Sequence, residues 1–166
     1  MNRDTCLPGA LIAFALLCGP SLSLAQVAPA GESITTGGAG GTYPIGTTLA
    51  GVNVTGIEAG FGADIDPDGV GRGQFCAILL GVSSLGVEQN IKIEGEVTTA
   101  SRPAPNIAVL AGTATIDLGN GLPPAEGIPF TATVTTDPQE LGTIRLVTGL
   151  ASLPDATMNA GSLIIH

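Results

Sequence analysis

Ile91-Lys92-Ile93-Glu94-Gly95-Glu96-Val97-Thr98 places apolar residues or glycine at odd positions and polar or charged residues at even ones. Successive side chains of an extended chain point to opposite faces, so this period of two predicts a strand with one buried and one solvated face. The same beat runs through Ala114, Ile116 and Leu118 against Thr113, Thr115 and Asp117. It returns in Phe130, Ala132 and Val134 against Thr131, Thr133 and Thr135. Residues 74–82 are apolar at both parities, which predicts a central strand covered on both faces. Further strands are expected near 48–55, 57–63, 106–112, 142–149 and 161–165.

Between these runs lie the turn dipeptides Asp68-Gly69 and Asn120-Gly121 and the breakers Arg102-Pro103-Ala104-Pro105 and Leu153-Pro154-Asp155. No i, i+3, i+4 pattern is sustained outside the first 25 residues. The chain therefore reads as all-β, and residues 47–166 as one β-sandwich domain of about 7–9 strands, immunoglobulin-like or jelly-roll-like in architecture. Residues 26–46 read as a flexible leader rich in Gly, Ala, Pro and Thr, which adds one short strand near its end. A membrane-spanning barrel is the rival for such a pattern. It fits poorly, because Tyr43, Phe61, Phe75 and Phe130 are too few aromatics for two interfacial girdles.

The N-terminus carries Arg3, an apolar run from Leu7 to Leu17, and small residues at Ser23 and Ala25 ahead of Gln26. That is the layout of a cleaved secretory signal peptide over residues 1–25. The run is 11 residues long, well short of the roughly 20 that span a bilayer. The mature chain is thus expected to be secreted, periplasmic or at the cell surface, with no integral membrane segment.

Fourteen acidic residues against five Lys and Arg give a net charge of −9, and loss of Arg3 and Asp4 with the signal leaves it unchanged. This balance argues against nucleic acid and anionic membrane partners, which select for clustered Lys and Arg. Cys6 and Cys18 leave with the signal, so Cys76 stands alone and no internal disulfide is expected. Its apolar neighbours predict a buried small hydrophobe.

Asp64-Ile65-Asp66-Pro67-Asp68-Gly69 matches the first half of a Ca²⁺ loop, with carboxylates at positions 1, 3 and 5 and glycine at 6. Asp64, Asp66 and Asp68 are the candidate metal ligands. The second half departs from the pattern, since position 12 is Phe75 where an EF-hand has a bidentate Glu. Pro-Asp-Gly is also a plain turn signal, and that reading is preferred.

Catalysis is not expected. The one histidine is the terminal His166, which removes His-based acid–base and nucleophilic schemes. Glu94 and Glu96 share a strand face about 7 Å apart, a spacing open to carboxylate-based hydrolysis. Paired carboxylates on an exposed face more often serve solvation and edge protection. Asn53-Val54-Thr55 is a glycosylation triplet inside an expected strand. The function expected is a non-catalytic structural, adhesive or interaction module for an extracellular protein or glycan. The alternative is Ca²⁺-dependent ligand binding.

Overall fold

The computed structural model describes residues 32–66 and 70–166. Residues 1–25, read as a signal, and the first residues of the expected leader lie outside this set. Nine strands follow in order: β1 (Glu32–Thr42), β2 (Thr48–Leu49), β3 (Val52–Ile65), β4 (Gly71–Val82), β5 (Ile91–Ala104), β6 (Ile107–Asp117), β7 (Ala125–Thr136), β8 (Gly142–Thr148) and β9 (Ser152–Ile165). The sheet order is β1-β9-β8-β7-β6-β5-β4-β3-β2, and β1 also pairs with β3. Gly38 lies opposite Gly60 of β3 on one side and Ser162 of β9 on the other.

That double pairing closes the sheet. The chain is an 8-stranded antiparallel barrel, with β2 a short ribbon on β3, and not the expected sandwich. The reason is that alternation in a strand looks the same in either architecture. What separates them is whether the first and last strands meet. Here the first strand lies within the stretch read as a leader, so the folded unit begins ahead of Thr47. Its sequence, Glu32 to Thr42, is mostly Gly, Thr and Ser, yet Ile34 and Ala39 are both buried.

An eight-stranded barrel has a lumen just wide enough for side chains to fill. Ile91, Ile93 and Val97 turn into it, while Lys92, Glu94 and Glu96 face outward. Phe75 stacks between Phe61 and Phe130 in the interior, with ring centroids 6.4 and 5.5 Å away. Phe130 lies opposite Gly112 of β6, and its ring reaches on to cover Gly95 of β5. A β-carbon at Gly95 would sit 2.6 Å from Phe130 Cε1, so the absent side chain is what admits the ring.

Closure also corrects the reading of residues 74–82. Each strand of a barrel has one covered face, so Cys76 and Ile78 lie on the exposed outer wall. Leu153-Pro154-Asp155, read as a breaker, lies inside β9. Pro154 falls at a register shift between the pairs Arg145–Asp155 and Val147–Ser152. A bulge tolerates a residue without an N–H. Tyr43, Phe61, Phe75 and Phe130 are all buried, the reverse of the outward girdles of a membrane barrel. No helix among the described residues is long and apolar enough to cross a membrane.

Candidate functional site

In an up-and-down barrel every second connection falls at the same end. Residues 43–51, 83–90, 118–124 and 149–151 therefore gather at one mouth. Asp66, Val70, residues 105–106 and residues 137–141 gather at the other, beside Glu32 and His166.

The first mouth is apolar at its tips. Ile45 is 108% exposed, Leu85 87%, Leu122 67% and Leu150 46%, and Val87 is exposed beside Leu85. Each of the four connections thus presents at least one aliphatic side chain to solvent. Isolated exposed aliphatics are ordinary on a protein surface; a ring of them on separate loops is not. Glu88 is the one charged residue in these four segments.

Local hydrogen bonds hold the tips out. The Thr47 amide and hydroxyl both donate to the Pro44 carbonyl, at 3.2 and 2.8 Å, which folds the chain tightly around Ile45. The Ser83 amide donates to Val87 O at 2.8 Å and the Gly86 amide to Ser83 O at 2.9 Å, carrying Leu85 at the apex. The Leu122 amide donates to Asn120 Oδ1 at 3.0 Å. Thr148 Oγ1 accepts from the Leu150 and Ala151 amides, both at 3.2 Å. The Gln89 side chain donates to Leu118 O at 2.7 Å, tying two neighbouring loops together. At the β2–β3 turn Ala50 and Gly51 both take positive φ, 50° and 83°, as a two-residue hairpin with right-handed twist requires.

The opposite mouth is acidic. Asp66 pairs with Arg72 at 2.8 Å. Asp137 Oδ1 accepts the Gln139 and Leu141 amides at 2.9 Å, and Glu140 accepts from Ser162 at 2.7 Å. The Arg102 guanidinium contacts the His166 carbonyl.

Two of the three candidate Ca²⁺ ligands can be placed here. Asp64 is exposed near the end of β3, in register with Arg72, and Asp66 is bound by that arginine. Asp68 lies outside the described residues. Among those residues no group of three or more His, Cys, Asp or Glu side chains is arranged to hold a metal.

Glu94 and Glu96 both stand on the outer wall. Glu94 pairs with Lys92 at 2.6 Å. That hydrogen bond and the carboxylate charge raise the lysine's pKa. Both partners are well exposed, so the pair contributes little to stability. Nearby, Gly38, Gly40, Gly60, Cys76 and Ala160 floor an outer concavity of about 650 Å³. Cys76 Sγ donates to Gly60 O there at 3.3 Å.

No protein-family model matches the chain, and no match is found among curated proteins or solved structures.

Tyr43 roofs the core beneath the apolar mouth. It is 6% exposed, and its hydroxyl has no hydrogen-bond partner among the described residues. Burial pushes its pKa above the ordinary tyrosine value. A buried donor without a partner carries a desolvation penalty of about 1–3 kcal/mol. Tyr43→Phe is therefore expected to hold or raise the melting temperature. A loss of more than about 1 kcal/mol would instead reveal a bonded hydroxyl.

The apolar mouth was not anticipated from the sequence, although each tip has a local signature. Pro44-Ile45-Gly46, Ser84-Leu85-Gly86, Gly121-Leu122-Pro123 and Gly149-Leu150-Ala151 each set one aliphatic among turn formers or small residues. Their convergence follows only from the up-and-down order of strands.

Proposed function

We propose that the chain is an exported, non-catalytic barrel that docks through its apolar mouth onto an extracytoplasmic partner. One observation carries this reading: every connection at that mouth presents an exposed aliphatic on a self-braced loop, with a single charge among them, while the other mouth is acidic. Leaving a large aliphatic side chain in water forgoes about 2 kcal/mol relative to burying it. Four such loops at one end represent a large binding potential. Export is supported by Arg3, the Leu7–Leu17 run and the Ser23–Ala25 site. A structural or adhesive role suits a barrel whose interior is given over to packed side chains. Aliphatic tips suit a greasy partner surface better than a glycan, for which aromatic platforms would be expected.

The test compares the chain with the variant Ile45→Ser, Leu85→Ser, Leu122→Ser, Leu150→Ser for retention on the cell-envelope fraction of its source. All four sites are exposed, so the melting temperature should be unchanged within about 0.5 kcal/mol of stability per site. Retention is expected to fall at least about tenfold. Equal retention of the two proteins, or no retention of either, would remove the proposal.

A further inference from the structure

We infer that the surface met by the apolar mouth is an electroneutral lipid interface, entered by Ile45, Leu85, Leu122 and Leu150. This rests on the docking reading above and names the partner. A bilayer needs no minimum contact area, because each apolar side chain that enters it contributes its own buried area.

The arrangement of the tips also favours lipid. They stand on four separate loops around a ring, and each is braced by hydrogen bonds within its own loop. A deformable apolar phase accepts separated, prebraced side chains without a matching relief. Bracing also spares the loops an ordering cost on entry.

Charge selects the kind of lipid. Surfaces that bind anionic lipid do so with clustered Lys and Arg. The loops of this mouth contain none, and Glu88, held by Asn90 Nδ2 at 2.9 Å, is their one charge. The net charge of −9 would also repel the whole chain from an anionic surface. A zwitterionic surface carries no such penalty. The acidic mouth, with Asp66, Asp137 and Glu140, then faces away from the lipid.

The sequence has no tryptophan, so an introduced one reports alone. The mature chain, residues 26–166, is prepared with Leu85→Trp or Leu122→Trp at the apolar mouth, Thr133→Trp on the wall, or Gln139→Trp at the acidic mouth. Each is mixed with phosphatidylcholine vesicles, with and without bromine on the acyl chains. The expected result is a blue shift and bromine quenching for the two mouth probes and neither for the other two. Replacing part of the phosphatidylcholine by phosphatidylglycerol should weaken the response. Adding Ile45→Ser and Leu150→Ser to the Leu85→Trp chain should lower its vesicle partition coefficient about tenfold per residue removed.

Equal quenching at all four positions, or a stronger response on anionic vesicles, would overturn the inference. Silence on protein-free vesicles, with loop-dependent retention on the envelope, would also overturn it and leave a protein as the docking partner. Silence in both assays removes the inference and the docking reading together.

Discussion

Phe75→Ala is expected to lower the free energy of unfolding by about 4 kcal/mol. Phe75 is 1% exposed and fills the interior between Phe61 and Phe130. Truncating it loses the transfer energy of a buried ring, two stacking contacts, and the atoms that filled the space. The cavity part should be large here. A barrel's girth is set by its number of strands and their shear, so the wall cannot move inward to close a void without breaking the hydrogen-bond ladder. Native domains hold only about 5–15 kcal/mol in all. Urea denaturation should show a much lower midpoint at an unchanged slope, and Phe75→Leu should lose far less. A loss under about 1 kcal/mol for the alanine variant would mean the three rings are not a packed stack.

Gly112→Val is expected to cost about 3 kcal/mol or more and to leave the chain unfolded or aggregated at expression temperature. Gly112 lies opposite Val97 of β5 and Phe130 of β7, beside the register shift between Val97 and Thr99. A β-carbon there would collide with the Glu96 carbonyl oxygen and stand 3.2 Å from the Thr98 amide nitrogen. These are backbone atoms of the neighbouring strand, so no rotamer change relieves the contact. The β5–β6 ladder would have to open. Thr113→Val is the control, because Thr113 is exposed on the outer wall and a β-branched residue already stands there; it should stay within about 0.5 kcal/mol of the parent. Gly112→Ala gives a graded reading if the valine variant yields no folded protein. A Gly112→Val chain that melts within a degree or two of the parent would contradict the close approach of the two strands.

The parts of this fold that the sequence revealed are those where side chains differ sharply between faces. Ile91-Lys92-Ile93-Glu94 could be assigned to a strand with its buried face identified, and Phe130, Ala132 and Val134 likewise. Closure was hidden because it depends on the partners of Glu32–Thr42, where Ile34 is the one large apolar side chain. A Gly- and Thr-rich segment has the composition of a linker, and only its two neighbours make it a wall. Cys76 was misplaced for the opposite reason. Apolar residues at both parities of β4 suggested two covered faces, whereas Ile78 and Val82 remain partly exposed on the outer wall.

The candidate site divides the same way. Asp64 and Asp66 stood out as alternate acids, but Arg72, six residues after Asp66, engages the second of them. The ring of aliphatic tips could not be read from spacing, because it is assembled by topology from four turns far apart in the chain.

The pairing of β1 with β9 has a consequence for how the barrel is made. The Thr35 hydroxyl donates to the Ile164 carbonyl at 2.8 Å, a contact between residues 129 positions apart. Until the last strand is in place, β1 and β8 each present a row of unsatisfied peptide groups to any passing strand. A chain emerging from its N-terminus can zip β3 to β8 from local hairpins, yet it must wait for β9 before those two edges vanish. Sealing is therefore expected to be the slowest and most aggregation-exposed step in its folding, as for other topologies that depend on long-range strand pairing. Every copy must pass through it to exist at all.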